Sequence, residues 1–122
     1  MINRLAVTFA LATAWVALPG AAGVVPASPP FAVTITLKDH QFSPSTITVP
    51  AGQPVRVQLI NRDGTTEEID GDALGWDTKV PPHGKVMLPL VAPLKPGTYT
   101  FFGELHPKTA QGTLTVTVPT QP

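Results

Sequence analysis

The sequence predicts an all-β fold, a Greek-key β-sandwich, for the chain that follows its N-terminal segment. Three observations carry this prediction. Apolar residues alternate with polar residues at a period of two in several short stretches. Fifteen prolines and ten glycines punctuate the chain, which places turns about every ten residues, as in sandwiches. Beyond the N-terminal segment, no stretch shows the period of an amphipathic helix.

Each strand is predicted from its own alternation, and turns at residues 50–53 and 95–97 separate neighbours. The fourth stretch contains Pro89, which lacks a backbone donor and therefore indicates an edge strand. We expect Met87 of this stretch in the core and Tyr99 as a structural corner residue. The apolar positions of the six predicted strands are, in order, Val33, Ile35 and Leu37; Ile47 and Val49; Val55, Val57 and Leu59; Val86, Leu88 and Leu90; Tyr99 and Phe101; Leu114, Val116 and Val118.

Residues 61–78 interrupt this rhythm. They hold six of the eight acidic residues of the chain, against the single base Arg62. We interpret them as a long irregular excursion, a feature that is often functional. Trp76 lies within it, where it would cover a site or dock a partner.

The N-terminus is typical of an export signal, predicted at residues 1–22. A short positive start precedes an uncharged apolar run at residues 5–18, shorter than the roughly 20 residues that cross a membrane. We expect cleavage after Ala22, export to the periplasm and no membrane span afterwards; an uncleaved membrane anchor is the alternative. Residues 23–30 are predicted to be a flexible lead-in, and residues 31–119 a single domain.

The composition excludes several function classes. Cysteine is absent, so we expect no disulfide, zinc–thiolate site, catalytic thiol or lipid-modified cysteine. Loss of Arg4 with the signal would leave seven basic residues of eight against eight acidic ones. This net charge near −1 gives no electrostatic case for nucleic acid or an anionic membrane. Neither a nucleophile elbow nor a glycine-rich phosphate loop is present, so the sequence does not predict an enzyme.

Several pieces occur in an order that resembles the cupredoxin family. They are Phe42-Ser43-Pro44 before the stretch 46–52, the strand ending at Asn61 with Asp63 after it, the turn 96–99, and the segment from His106 to Gly112 before the last strand. Copper cupredoxins bind their metal through two histidines, a cysteine thiolate and a weak methionine. Carried over by position, the first histidine falls at Glu67 or Glu68, the cysteine at Gly103 and the methionine near Gln111, while His106 is the second histidine. The resemblance thus implies the fold without a blue-copper site.

Residues 101–112 also resemble cysteine-less, EfeO-type cupredoxin-like proteins of the periplasm. The turn 93–97 matches their Pro-Leu-x-Pro-Gly motif, and Glu68-Ile69-Asp70 corresponds to their acidic motif. Trp76 replaces an arginine of that motif. This resemblance implies an association with ferrous-iron permease systems.

A candidate metal site follows if the loops after Asn61 and Phe102 lie at the same end of the sandwich. Carboxylates with one imidazole suit iron, Mn(II), Zn(II) or Cu(II). In an extended segment, Glu68 and Asp70 would share one face while Ile69 points into the core. We expect His40 and His83 to be surface residues, with His83 as a reserve ligand. The predicted metal ligands are Glu68, Asp70, Asp77, Glu104 and His106.

The sequence and the resemblance together predict an exported protein that binds an iron or copper ion and supports iron uptake, with an accessory role in ferrous-iron oxidation. An inner-membrane iron permease or a periplasmic iron-binding protein is the expected partner. Two other readings stay open. One is a metal-free β-sandwich that docks a partner through its acidic loop, since exposed acidic residues are usually only solvated. The other is copper electron transfer with rearranged ligands.

Overall fold

The computed structural model describes residues 29–118, which form nine β-strands and a 3-10 helix at Asp72–Leu74. No helix among these residues is long and apolar enough to span a bilayer. The predicted signal peptide and residues 23–28 of the predicted lead-in lie outside the described residues. The strands are β1 (Phe31–Lys38), β2 (Gln41–Ser43), β3 (Thr46–Pro50), β4 (Val55–Asn61), β5 (Glu67–Gly71), β6 (Trp76–Val80), β7 (Lys85–Met87), β8 (Gly97–Gly103) and β9 (Gln111–Thr117).

The strands form two packed sheets, which confirms the predicted all-β sandwich. One sheet has the order β2-β1-β4-β7 and the other the order β3-β9-β8-β5-β6. Each sheet contains one parallel pair, β1 with β4 and β3 with β9, and the other pairs are antiparallel. Parallel neighbours require a crossover connection, so the chain passes from one sheet to the other between its early strands.

The core lies between the sheets and follows the alternation of the sequence. Along β4 every second residue is buried, from Val55 to Asn61. The aromatic centre of the core is Phe101, whose ring lies 5.4 Å from that of Trp76 in an edge-to-face arrangement. Trp76 is 1% exposed and its indole Nε1 donates to the Pro89 carbonyl over 3.2 Å. The prediction that Trp76 covers a site or docks a partner is therefore wrong, and its role is core packing.

The interpretation of residues 61–78 as irregular is also wrong. From residue 67 onward they form β5, the 3-10 helix and the first part of β6, and the two strands pair antiparallel. The period of two is present in β5, where Glu67, Ile69 and Gly71 are buried. Because two of these three inward residues are a glutamate and a glycine, the alternation cannot be recognised from hydrophobicity.

Two of the remaining fold predictions are confirmed and one is wrong. Tyr99 is a corner residue as predicted, because its hydroxyl donates to the Lys95 carbonyl over 2.7 Å. The edge position of the fourth predicted strand is confirmed, since β7 ends its sheet. Met87 was expected in the core but is 52% exposed. Val86 of β7 and Leu88, which directly follows the strand, face inward, and Met87 points outward between them.

Candidate metal centre

His40, Glu67 and His106 lie together where the β1–β2 turn, the start of β5 and the loop after β8 meet. Each offers one ligand atom, and these atoms lie within 4.8 Å of one another. Imidazole nitrogens and carboxylate oxygens are ligands of Zn(II), Cu(II) and iron. We call these three residues the His–Glu–His cluster.

Glu67 is the buried member of the cluster. It has the same strand parity as Ile69, so its side chain enters the interior, where it is 1% exposed. Its Oε1 accepts from the backbone N–H of Leu105 over 3.0 Å and of Glu68 over 3.1 Å. Its Oε2 lies 2.5 Å from His106 Nδ1; if the carboxylate is ionised it can only accept, and the hydrogen of this bond is then on Nδ1. A buried charge needs such partners, and Glu67 has three.

The Glu67 carboxylate occupies the space that a side chain at position 103 would enter. A Cβ added to Gly103 would lie 2.8 Å from both Cδ and Oε1 of Glu67 and 2.6 Å from the Cβ of Ala110. Position 103 is where the cupredoxin resemblance places the metal-binding cysteine. The chain therefore fills the region of the missing thiolate with a carboxylate that comes from a different strand.

His106 is held by the compact loop 103–110. Its N–H donates to the Gly103 carbonyl over 3.1 Å, and its own carbonyl accepts from Ala110 N–H over 2.9 Å. The ring stacks on His40 with a centroid separation of 3.6 Å and an interplanar angle of 12°. About a third of the His106 side chain is exposed, so solvent and ions reach the cluster from this side.

His40 is presented by a tight turn between β1 and β2. Asp39 and His40 both have positive φ, 52° and 57°, as in two-residue hairpin turns of type I′. The Asp63 carboxylate accepts from both N–H groups, over 2.7 Å from Asp39 and 2.9 Å from His40. His40 Nδ1 is buried and, within residues 29–118, has no hydrogen-bond partner. Its 3.5 Å distance to Asp63 Oδ2 permits attraction when the imidazole is protonated.

Asp63 lies in a strongly polar environment. Burial acts to raise the pKa of Asp63, but the two N–H donors of the turn and the positive charges of His40 and Lys38 outweigh it. The pKa of Asp63 therefore lies below its ordinary value, and the carboxylate is ionised at neutral pH.

Of the five predicted ligands, the structure places His106 in the cluster, Glu68, Asp70 and Asp77 on the outer face of β5 and β6, and Glu104 in the loop after β8. Glu68 and Asp70 lie on the outer face of β5, and Asp70 pairs with Asp77 of β6. Glu104 N–H donates to the Glu68 carbonyl over 2.7 Å, so the two loops do meet as expected. We call Glu68, Asp70, Asp77 and Glu104 the outer carboxylates, and their metal binding stays a prediction.

Crowding of like charges is visible at Glu68. Partial burial raises the pKa of Glu68, and a hydrogen bond with Asp77 and the charges of Glu104 and Asp77 add to the rise. Lys79 opposes it, with Nζ 3.9 Å from Glu68 Oε2. The charges of Asp77 and Glu104 therefore disfavour the ionised form of Glu68.

Two members of the cluster were not among the predicted ligands. His40, expected at the surface, is half-buried against His106, which no local pattern reveals because Asp63 holds its turn from 23 residues away. Glu67 was recognised only as one of two positions for the missing histidine. The parity of Ile69 would have selected Glu67 as the inward one. His83 is exposed in its turn, as expected.

Several solved structures have a fold similar to that of this chain. The metal-binding domain of the Cu(I)-exporting P-type ATPase CopA of Streptococcus pneumoniae D39 gives a TM-score of 0.62 at 17% identity, covering 70% of this chain and 84% of that one. Auracyanin B gives 0.58 at 19% identity, covering 79% and 95%. A purple cupredoxin from Nitrosopumilus maritimus gives 0.52 at 16% identity, covering 69% and 98%. At these identities the likeness shows the fold alone.

Sequence comparison identifies the family. An uncharacterized protein of Rickettsia prowazekii (strain Madrid E) is 42% identical over 84 residues, which are 69% of this chain. The match spans 66% of that relative, just under two thirds of its length. The family model described as a cupredoxin-like domain matches residues 6–116, nearly the whole chain. The chain with the His–Glu–His cluster therefore belongs to the cupredoxin-like domain family.

Proposed function

We propose that this protein binds one iron or copper ion through His40, Glu67 and His106 and serves metal handling after export. The observation that carries the proposal is the convergence of three potential ligand atoms within 4.8 Å. Two imidazoles and one carboxylate form a donor set found in non-haem Fe(II) proteins and one that also suits Cu(II) and Zn(II).

The cluster fits such an ion and does not fit a blue-copper site. His40 Nδ1 is buried without a hydrogen-bond partner among the described residues, as expected of a group that gains a partner on metal binding. Gly103 and Gln111 supply no sulfur where the family has its thiolate and thioether. Oxygen and nitrogen donors favour iron and Cu(II) over Cu(I), which prefers soft sulfur ligands. A bound ion would supply charge and redox chemistry.

Glu67 and His106 also make metal binding a proton-linked event. The hydrogen between His106 Nδ1 and Glu67 Oε2 must leave if both atoms are to bind the same ion. If Glu67 instead keeps that hydrogen bond, it orients His106, as carboxylates commonly orient metal-binding histidines. Metal affinity rises with pH in the first case, because a proton is released.

The wider role in the proposal is iron uptake in the periplasm. The EfeO-type resemblance of residues 101–112 and the predicted signal at residues 1–22 support it. The partner would be an inner-membrane iron permease or a periplasmic iron-binding protein, with this protein accessory to ferrous-iron oxidation. The similar fold of the CopA metal-binding domain, whose structure contains Cu(I), supports copper as the alternative ion. Deletion of the gene should impair growth in low iron, and a chain with His40 and His106 replaced should not restore it.

Metal titration tests the binding part. We expect the purified protein to bind Fe(II) under anaerobic conditions, or Cu(II), at micromolar or tighter affinity. His40→Ala and His106→Ala should each weaken binding by more than about tenfold. His83→Ala is the matched control, because it removes an exposed imidazole outside the cluster and should bind as wild type.

A combined Glu68→Gln/Asp70→Asn/Asp77→Asn/Glu104→Gln variant separates the cluster from the outer carboxylates. Unchanged affinity in it, with loss in His106→Ala, supports the His–Glu–His cluster. Loss in it with full binding by His40→Ala would reject the cluster as the site.

A metal-free docking module is the second candidate, and one observation favours it. Glu67 already has three hydrogen-bond partners in the protein, so the pair with His106 is satisfied without an ion. In this case the exposed acidic residues of segment 61–78 would bind a cationic partner. Titration would then show no metal binding, whereas Asp70→Lys/Asp72→Lys would weaken recovery of a periplasmic partner.

A further inference from the structure

Asp63 faces the turn that carries His40. Its two carboxylate oxygens accept the N–H groups of Asp39 and His40 over 2.7 and 2.9 Å. Asp63 is itself fixed, because its own N–H donates to Asn61 Oδ1 over 2.9 Å and its carbonyl accepts from His83 N–H over 3.0 Å. A single side chain therefore links the end of β4 to the β1–β2 turn.

The turn needs this support because of its sequence. Two consecutive positive φ angles suit Asn-Gly or Gly-Gly best; aspartate and histidine adopt them more readily than most residues, but less readily than glycine. Here the two positions are Asp39 and His40. The side chain of His40 is placed over His106 only while both residues keep this conformation, so the bonds to Asp63 and the stacking of the rings depend on each other.

We infer that Asp63 is a positioning residue that holds His40 in place to bind metal. Asp63 thereby fixes the backbone that carries His40, while the His40 ring nitrogens stay available to an ion. Asp63 acts through the backbone N–H groups of the turn and not through the imidazole, and loss of outer partners that orient a metal-binding histidine typically costs 10- to 100-fold in metal affinity. This inference rests on the proposed function, since it assumes that His40 is a ligand.

The test compares Asp63→Ala and Asp63→Asn with wild type by titration with Fe(II), Cu(II) and Zn(II). We expect Asp63→Ala to weaken the affinity about 10- to 100-fold. Asp63→Asn keeps one acceptor oxygen and should recover part of it. In a His40→Ala background, Asp63→Ala should cause no further loss. Val49→Ala, a change in the buried core on β3, is the control for general destabilisation and should keep the affinity.

NMR of the metal-free protein adds a readout that stability alone would not move. Asp63→Ala should remove the ring-current shift that stacking imposes on His40 and His106, while Val49→Ala should retain it. If Asp63→Ala binds metal as tightly as wild type although His40→Ala does not, the positioning role is wrong and the proposed function stands. An equal loss from Asp63→Ala in the His40→Ala background would also reject it. If wild type binds none of the three ions, the proposed function itself fails.

Discussion

Gly103 lies against the Glu67 carboxylate of the cluster. Gly103 ends β8 opposite Ile69 of β5, and the absence of a side chain there leaves room for the Glu67 carboxylate. The same position would carry the thiolate in a blue-copper protein. A side chain at position 103 and Glu67 in its present conformation would overlap, so a thiolate at this position and the buried carboxylate exclude each other.

A methyl group at position 103 tests this coupling. Gly103→Ala places a Cβ 2.8 Å from Glu67 and 2.6 Å from the Ala110 Cβ, so one of them must move. We expect a loss of about 1–3 kcal/mol in the free energy of unfolding, as for other overpacked sites, measured by urea denaturation. Gly64→Ala is the control, because its Cβ would meet only His83 Nε2 at 3.8 Å. Equal stability of the two variants would contradict the packing argument.

At the level of elements, Asn61 joins the end of β4 to two neighbouring segments. Although it is 1% exposed, its amide Nδ2 donates to the carbonyls of Thr65 over 2.8 Å and Pro81 over 3.1 Å. Its Oδ1 accepts from Asp63, the residue that faces His40. The same buried amide therefore orders both the entrance to β5 and the support of the β1–β2 turn.

Removal of this amide should destabilise the whole loop region. Asn61→Ala removes the side-chain hydrogen bonds to Thr65, Pro81 and Asp63, and we expect a loss of about 2–4 kcal/mol in the free energy of unfolding. Arg62→Ala, next in the chain but exposed, should change it by less than about 0.5 kcal/mol. Chemical denaturation gives both values, and similar midpoints for the two variants would show that the amide network contributes little.

At the level of the whole molecule, the alternation of apolar residues predicts most of the fold and only part of the site. Stretches such as Val55 to Asn61 bury every second residue, so the local sequence alone predicts which residues of the strand face the core. His106 and the meeting of its loop with β5 were predicted from the family order. His40 was not, because its place depends on a distant carboxylate. For Glu67 the sequence gives two opposite indications: its charge predicts an exposed side chain, whereas its alternation with Ile69 in β5 predicts a buried one.

The charge distribution over the outer sheet leads to a prediction on pH and metal together. The pKa of Glu68 is raised in the folded protein, so the folded state binds its proton more readily than the unfolded chain does. The stabilisation linked to this proton is present below the unfolded pKa and is lost as pH rises through the folded one. At neutral pH the ionised carboxylate therefore lies in unfavourable surroundings.

Glu68→Gln should accordingly raise the thermal midpoint of the metal-free protein at pH 7, with EDTA present, and the gain should shrink towards pH 3, where wild-type Glu68 is protonated.

Asp63→Asn should instead lower the thermal midpoint at pH 7, and this loss should shrink as the pH falls. The pKa of Asp63 is lowered, so its stabilisation exists above the unfolded pKa and is lost as pH falls through the folded one.

If Glu68 binds metal as the sequence predicts, saturating Fe(II) or Cu(II) would make wild type more stable than Glu68→Gln at pH 7, because the cation relieves the repulsion that the substitution otherwise removes. An unchanged advantage of Glu68→Gln in the presence of metal would place the ion away from the outer carboxylates.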